Sequence, residues 1–456
     1  MATYYVTKAG NDTTGDGSEG APWLTIAKAV TAAKAVAGSN TIMIGAGTYE
    51  ERVRLNPTAG GMTACTLQGI TGVRTEVIIR HASGYAGAVR CEGIMETVTL
   101  KDLTVSGGEI TPVVSCDSDT SVVCTNVDII STWTSGHAFN WNAATAPTRS
   151  NLTWVGGTCT LAGAATGCVS WVTSTRYIGR VRIEGVTLNC GWVLLVNGNL
   201  TTTNIKSFDL VDCTLNLTRG IALLRNTTTG VNPLDQYCDW LSIRGCTGTT
   251  PRLWLIAGSI RNFEAADNTL SVTCGGAGDD GRNGGAIGYE VRTDTIRVWT
   301  QDTVIAENAI RRATVVDGRL YQATTGGTTH ATTEPTWNTT IGATTSDGTV
   351  TWTCIAAETS NSMPILSGRI AGNVLDWPST AGTGGGATHH LFFGVGANNI
   401  MVQRNTLTTA STANYMVVCK SDYCTFQRNL ITCSGDYPLY LAGARYSRVL
   451  NNTVVA

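Results

Sequence analysis

The chain has 456 residues, of which 42% are hydrophobic and only 14% charged, and its formal net charge at pH 7 is -2. This length exceeds that of most single globular domains, so we expect several domains or one elongated architecture. The near-neutral charge excludes a basic surface for nucleic acid or for an anionic membrane. The 52 glycines, together with abundant Thr and Asn, predict turns and short strands rather than helices.

The first elements predicted in chain order are a polar loop and a short helix. The loop, "GNDTTGDGSEGAPW" at residues 10–23, places Asn and Asp among glycines as a calcium loop does, but it lacks the distal glutamate of such a loop. We therefore predict no metal and no cofactor. The following residues repeat apolar side chains at helical spacing, and Gly38 marks the predicted end of the helix. The apolar face consists of Ile26, Ala29, Val30 and Ala33. We expect this helix to cap the hydrophobic end of a solenoid.

The N-terminus and the cysteines bear on the cellular compartment. "MATYYVTKAG" has neither the basic nor the apolar region of a signal peptide, so we expect synthesis in the cytoplasm without a secretion signal. The 15 cysteines are odd in number, form no close CxxC pair and fall within apolar strand runs. We predict that they are free and buried, where a thiol packs as a small hydrophobic group.

One short sequence pattern recurs along the chain with different residues. It consists of a short alternating strand, then Asn, Asp or Gly, then a second short strand, as in "VTLKDLTV", "FDLVDCTLNL", "IMVQRNTLTT" and "SRVLNNTVV". Asn405, Asn429 and Asn452 recur at intervals of 24 and 23 residues. Short strands at this spacing predict a parallel β-solenoid with Asn side chains stacked in its turns, rather than an antiparallel sandwich.

The N-terminal segment resembles a known family. "YYVTKAGNDTTGDGSEGAPWLTIAKAVTAA" and "NTIMIGAGTYEERV" are similar to the opening of right-handed parallel β-helix proteins of the pectate-lyase-like superfamily. That superfamily includes phage tailspikes, capsule depolymerases, secreted polysaccharide lyases and hydrolases, and members without known catalysis. The resemblance implies an all-β protein that faces a carbohydrate, and it is specific for the fold rather than for an activity.

A change from the recurring strand pattern to hairpin signals predicts an inserted module. "DG" dipeptides at Asp317-Gly318 and Asp347-Gly348 favour hairpins. "GRLYQATTGGTT", "EPTW" and "DGTVTWTC" resemble a module of phage tail and fibre proteins, which is similar to small carbohydrate-binding modules. The predicted organisation is a cap with the first coil (1–58), a parallel β-helix (59–295), the small β module (296–357) and a continuation of the β-helix (358–456). Because the chain ends in mid-phrase at "VLNNTVVA", we expect its last coil to lack a cap.

Aromatic residues of the module are the candidates for binding a sugar, because an exposed aromatic ring offers an apolar face to it. They are Trp299, Tyr321, Trp337 and Trp352. A small domain also needs large aromatic residues for its core, and this alternative is favoured for Tyr321 and Trp352, which lie within predicted strands. Trp337 follows a proline in a loop, so its exposure is expected about as readily as its burial.

The best cluster of acid–base groups lies in a glycine-rich excursion before the module, "CGGAGDDGRNGGAIGYE". It contains the catalytic candidates Asp279, Asp280, Arg282 and Glu290. Polysaccharide cleavage needs two carboxyl groups across a glycosidic bond or a base that faces an acidified C–H group. The alternative is a hydrophilic loop without chemistry. Weaker candidates are the pair Glu264 and Asp267 and the pair Asp209 and Asp212, the latter at opposite strand parity.

These observations favour a phage tailspike-like virion protein that recognises a bacterial surface polysaccharide and could cleave it. The alternatives are a structural virion protein, such as a fibre, whisker or capsid decoration, and a secreted polysaccharide lyase or glycoside hydrolase. The resemblance implies a homotrimer in the phage particle, with other virion proteins as further partners; an extracellular location is the alternative.

Overall fold

The computed structural model describes most of the chain. The described residues are 1–81, 87–93, 95–107, 113–116, 120–134, 136–141, 150–163, 166–171, 176–198, 203–226, 236–251, 254–256, 259–273, 287–289, 298–305, 307, 309–315, 317–357, 367–377, 389–393, 399–409, 415–419, 423–433, 437–441, 444 and 446–455.

The chain winds into a right-handed parallel β-helix, which confirms the predicted fold. Most of the described coils contribute one strand segment to each of three parallel sheets, and long strands bend from one sheet into the next. Five strands serve more than one sheet: Thr97–Gly107, Ser121–Ser131, Ser150–Leu161, Arg176–Gly198 and Thr214–Asn226. The other strands of sheet 1 are Thr3–Val6, Gly38–Ile44, Met62–Gly69, Thr203–Val211, Gln236–Arg244, Ser259–Ala266, Ser367–Ala371, Ile400–Gln403, Thr425–Gln427 and Arg448–Leu450.

Sheets 2 and 3 follow the same parallel order. The other strands of sheet 2 are Gly47–Glu50, Val77–His81, Thr247–Thr250, Thr269–Val272, Val374–Trp377, Thr406–Thr409, Leu430–Thr432 and Thr453–Val455. The other strands of sheet 3 are Val53–Leu55, Val89–Cys91, Val114–Cys116, Phe139–Trp141, Gly167–Trp171, Trp254–Ile256 and Ile287–Tyr289. A further parallel sheet is formed by His389–Phe393, Tyr415–Cys419 and Tyr437–Leu441.

Inward side chains stack in register from coil to coil and form one continuous core. In sheet 1, Leu152 pairs with Val181, Val181 with Phe208, and Phe208 with Leu241, and all four side chains are buried. Burial of each such side chain contributes about 1.5–3 kcal/mol. The fourteen described cysteines are free and buried, which confirms their predicted role in packing.

The bend between sheets 1 and 2 uses one left-handed residue in each coil. Asp102 and Asn126 have φ angles of 54°, and Arg428 has the same value near the other end of the helix. The residue after each bend points inward. It is apolar in early coils, as at Leu103 and Val127, and asparagine in late ones.

The asparagines after the bend form a buried amide ladder, as the sequence predicts. Asn373 donates its side-chain N–H to Oδ1 of Asn405 at 2.9 Å, and Asn405 donates to Asn429 at 2.9 Å. Asn268 and Asn452 extend this ladder at its two ends. Each amide also bonds main-chain groups, so the ladder satisfies polar groups that would otherwise be buried without hydrogen bonds.

The predicted capping helix is present over Ile26–Ala33, with its four apolar face residues buried. Glu51 accepts the N–H groups of Ile26 and Ala27 at 2.9 and 2.8 Å, which satisfies two donors of the first turn. The predicted end at Gly38 is wrong. The helix ends earlier because the buried side chain of Asn40 binds the carbonyls of Ala33 and Val36.

Residues 298–357 depart from the parallel pattern. They form antiparallel strands at Val304–Ile305, Ile310–Arg311, Arg319–Thr325, Gly327–Thr328, Thr344–Asp347 and Val350–Ala357. The hairpin predicted at Asp347-Gly348 is present, with Asp347 opposite Val350. The module has a separate hydrophobic cluster of its own, which includes Tyr321 and Trp352.

Candidate functional site

The four catalytic candidates of the glycine-rich excursion lie outside the described residues. This applies to Asp279, Asp280, Arg282 and Glu290. Their catalytic role stays a prediction.

A buried carboxylate organises the aromatic residues of the module. Asp347 is 2% exposed, and its Oδ2 accepts the indole N–H groups of Trp299 and Trp352 at 2.8 and 2.9 Å. Its Oδ1 accepts the main-chain N–H of His330 at 2.8 Å. Three donors thus offset the cost of burying the charge. The two indole groups are held in place by this carboxylate.

The four aromatic candidates of the module differ in exposure. Tyr321 and Trp352 have no exposed surface and Trp299 is 9% exposed, because these rings fill the core of the small domain. No ring face of Tyr321 or Trp352 is therefore open to a sugar. Trp337 is half-buried, stacks on Tyr321 with ring centroids 4.1 Å apart, and donates its indole N–H to Glu334 at 2.7 Å. Trp337 is thus the candidate with ring surface left to offer.

A second group of polar side chains lies on the outer surface of sheet 1. Three consecutive coils each place two residues there, at strand positions i and i+2, whose side chains project to the same face. In register, Ser207 pairs with Trp240 and Asp209 with Ser242, and the next coil continues both rows. We call this group the central patch, and it comprises Ser207, Asp209, Trp240, Ser242, Asn262 and Glu264.

Arginines flank the two carboxylates of the central patch along the same row. Arg182 pairs in register with Asp209, and Arg369 pairs with Glu264. Arg369 donates to the Glu264 carboxylate at 2.6 Å. Arg182 instead donates to Glu184 at 2.8 Å. Among the described residues, no hydrogen bond or ion pair engages the Asp209 side chain. Glu264 is therefore held by an arginine, whereas the Asp209 carboxylate makes no such bond within the part of the chain that the structure describes.

Two hydroxyl groups of the central patch have no hydrogen-bond partner among the described residues. Ser207 is 9% exposed and Ser242 is 1% exposed, so their Oγ atoms differ from most buried polar groups, which are bonded. Ser242 lies in register between Asp209 and Glu264. A buried hydroxyl without a partner costs stability, so a ligand group or a water that reached these oxygens would gain a favourable hydrogen bond.

An exposed indole adjoins these hydroxyls. Trp240 is 41% exposed, although Trp is a residue that folding normally buries. It lies two residues before Ser242 on the same strand, about 7 Å away along it. An aromatic face next to carboxylates and hydroxyls combines the two kinds of group that hold a sugar ring, which are an apolar platform and polar partners for hydroxyls.

Sequence reasoning identified the two carboxylates of the central patch but not the residues that lie next to them. It paired Glu264 with Asp267 and Asp209 with Asp212. Asp212 and Asp267 are exposed left-handed bend residues, with φ of 51° and 56°, so they leave the surface row. Trp240 was missed, although in the stretch "DWLSIR" it alternates with the apolar Leu241 and Ile243, which could have indicated an outward ring.

The acidic N-terminal loop has a structural use. Asp12 accepts the main-chain N–H of Leu24 at 2.8 Å and the hydroxyl of Thr25 at 2.7 Å, so it fixes the start of the capping helix. Over the part of the chain that the structure describes, no group of three or more His, Cys, Asp or Glu side chains could hold a metal ion. Within the same part, no helix has the length and apolarity needed to cross a membrane.

The N-terminal segment of the chain matches one protein family, and one solved structure shows a limited similarity. Residues 8–55 match a family described as "Protein of unknown function (DUF1565)", and this segment contains the capping helix. The crystal structure of a pectin methylesterase from Aspergillus niger is similar with a TM-score of 0.35 and 13% sequence identity, covering 64% of this chain and 92% of that chain. No curated protein sequence matches the chain significantly.

Proposed function

We propose that this chain is a phage tailspike-like protein that binds a bacterial surface polysaccharide at the central patch. The observation that carries this proposal is an exposed indole, Trp240, beside the buried hydroxyls of Ser207 and Ser242, which have no partner in the described part of the chain. These groups lie on a sheet that continues along the helix axis, with coils about 4.8 Å apart. Such a surface suits an extended chain of sugars better than a compact ligand.

The module offers a second place for the same ligand class. Trp337 retains ring surface, and its indole N–H is fixed by Glu334, so the ring is held in one orientation. The resemblance of the module to those of phage tail and fibre proteins supports a role in glycan binding. We propose Trp337 as an auxiliary contact and the central patch as the main one.

The test uses a panel of purified capsular polysaccharides and lipopolysaccharide O-antigens immobilised on a resin. We expect one glycan to retain the wild-type protein and Trp240→Ala to weaken retention about tenfold or more, as expected for a central aromatic contact. Tyr446→Ala is the matched control, because Tyr446 is an aromatic residue with 70% exposure outside the patch. Loss of retention in Trp337→Ala, with Trp240→Ala unchanged, would move the main site to the module.

The virion assignment is tested separately. We propose a homotrimer located in the phage particle, in contact with other virion proteins, on the basis of the N-terminal resemblance. Light scattering should give three times the chain mass, and mass spectrometry of purified particles should detect the chain. A monomer absent from particles but found in culture medium would favour a secreted polysaccharide lyase or hydrolase. Presence in particles without any glycan retention would favour a structural virion protein.

A further inference from the structure

We propose that Cys213 and Cys246 form a disulfide bond when the protein meets a peroxide, and that this bond fastens two neighbouring coils of the β-helix to each other. Both residues are free thiols in the structure. The pair is therefore a site of covalent modification inside the core. Its chemistry does not depend on the proposed binding of a glycan.

The two cysteines occupy the same position in consecutive coils. Thr214, the residue after Cys213, pairs in register with Thr247, the residue after Cys246, and the strands before the bend are paired with the same offset. Cys213 and Cys246 are thus direct neighbours in the stack, with Cα atoms about 4.8 Å apart. Disulfides join Cα atoms that are about 4.4–6.8 Å apart. The coil spacing therefore meets the main geometric requirement for the bond.

The two thiols also have the same orientation. Cys213 Sγ donates to the Val211 carbonyl at 3.3 Å, and Cys246 Sγ donates to the Arg244 carbonyl, two residues earlier in the same way, at 3.5 Å. Cys246 Sγ also lies 3.8 Å from the carbonyl oxygen of Leu210, in the coil that contains Cys213. The Cys246 sulfur therefore projects towards the coil of its partner.

A hydrogen bond between the two thiols gives them different roles. The Cys246 thiol donates to Cys213 and thereby lowers the pKa of the Cys213 thiol, against the effect of burial. At Cys65, in contrast, burial raises the pKa of the thiol to about 12. Because the thiolate is the form that attacks an oxidant, Cys213 is the thiol that reacts first and Cys246 is the thiol that closes the bond.

The pair lies where the composition of the core changes. The inward position that Cys213 and Cys246 share is occupied by the buried Val186 in the preceding coil. In the following coil it is occupied by Asn268, whose Oδ1 accepts the main-chain N–H of Cys246 at 2.9 Å. A disulfide at this place joins the last aliphatic coils to the first coil of the amide ladder.

Burial of the pair determines when the bond can form. Cys213 is 1% exposed and Cys246 is not exposed at all. A peroxide therefore reaches them when a coil opens locally, or during folding before the following coil has closed over them. We expect the bond to form faster during refolding than in the folded protein.

The reaction balances with hydrogen peroxide as the oxidant. The Cys213 sulfur attacks one peroxide oxygen, so that an S–O bond forms and the O–O bond breaks. The leaving hydroxide takes the proton of the Cys213 thiol and becomes water. The Cys246 sulfur then attacks the Cys213 sulfenic acid, the S–S bond forms, and the S–O bond breaks. The second hydroxide takes the Cys246 proton, so two thiols are oxidised and one peroxide is reduced to two waters.

The experiment compares the reduced protein with protein treated with hydrogen peroxide, either in the folded state or during refolding from urea. Free thiols are then blocked, and mass spectrometry of peptides prepared without reductant locates the linked cysteines. We expect a link between the peptides of Cys213 and Cys246. The oxidised protein should unfold in urea about tenfold more slowly than the reduced one, and a thiol reductant should reverse this change.

Three variants accompany the wild type. Cys213→Val and Cys246→Val should each lose the link and the slower unfolding, and valine suits this position because Val186 fills it one coil earlier. Cys91→Val is the matched control, because Cys91 and Cys116 are another pair of register neighbours, on sheet 3. This control should keep both effects of oxidation.

The outcomes separate this proposal from the one on glycan binding. Absence of a link between Cys213 and Cys246 in both treatments would overturn it, as would a link confined to Cys91 and Cys116. A linked protein that unfolds as fast as the reduced one would show that the bond does not fasten the coils. Retention on the glycan resin is measured for both forms, and its loss in both would count against the glycan proposal alone.

Discussion

Replacement of one ladder asparagine should destabilise several coils at once. The Asn405 side chain donates to the Ile370 carbonyl at 3.0 Å and to Asn429 Oδ1 at 2.9 Å. Its Oδ1 accepts the main-chain and side-chain N–H groups of Asn373 at 3.0 and 2.9 Å. Asn405→Ala removes all of these bonds. At about 1 kcal/mol each, the free energy of unfolding of this region falls by about 4 kcal/mol.

Hydrogen exchange followed by mass spectrometry is the assay that resolves this effect along the chain. Coils of a solenoid contact only their neighbours, so we expect faster exchange in peptides around residues 367–433 and little change in the N-terminal coils. Thr408→Ala is the control, because Thr408 is a partly exposed residue of a neighbouring strand, and such changes cost about 0.5 kcal/mol or less.

An apolar replacement gives the sharper test of the reasoning. Earlier coils hold Leu103 or Val127 at the position after the bend, so the position itself accepts an apolar side chain. Asn405→Val should nevertheless be nearly as harmful as Asn405→Ala, because the ladder neighbour Asn373 then has a buried N–H without its acceptor. A loss below about 1 kcal/mol in both variants would refute the view that the amide ladder stabilises these coils.

Three further perturbations have defined outcomes. Asp347→Ala should unfold the module with a loss of about 3–5 kcal/mol, since two buried indole N–H groups and the main-chain N–H of His330 lose their acceptor, and near-ultraviolet circular dichroism should report it. Glu51→Ala should cost about 1–2 kcal/mol at the capping helix, measured by urea unfolding. Burial lowers the pKa of His137 from 6.5 to about 4. Between these two pH values, the imidazole of His137 is therefore protonated in the unfolded chain but not in the folded one. Stability is then complete above pH 6.5 and falls by up to about 3 kcal/mol towards pH 4, a slope that His137→Gln should reduce.

The β-helix could be predicted because its order is local and repetitive. The register of Asn405, Asn429 and Asn452 follows from their spacing, and the structure places them in one ladder. The end of the capping helix could not be predicted in this way. It depends on Asn40, whose side chain reaches back from the first residues of the next strand, and no helix-propensity rule includes such a contact.

The central patch could be predicted only in fragments. The sequence shows that Asp209 and Glu264 are acidic, but not that they share one row on sheet 1. They are aligned because each is a register partner of Ser242, which lies in the coil between them. Successive coils differ in length, so sequence spacing alone does not show which outward residues lie side by side. Their register is fixed by the packing of the inward side chains. The hydroxyl of Ser242 has no sequence signature, because it is notable only for being buried without a partner among the described residues.

The inserted module has a consequence for the order of folding. Most ladder bonds join residues one short coil apart, such as the 24 residues between Asn405 and Asn429, but the bond from Asn268 to Asn373 spans 105 residues. During synthesis, the N-terminal coils can add to one another as they emerge, whereas the coil after the module must wait until the whole insertion has been made. A module that folds early reduces the flexible length between the two coils and so lowers the entropy cost of closing this loop. The module therefore acts on the timing of assembly of the C-terminal coils, and its deletion should speed their formation.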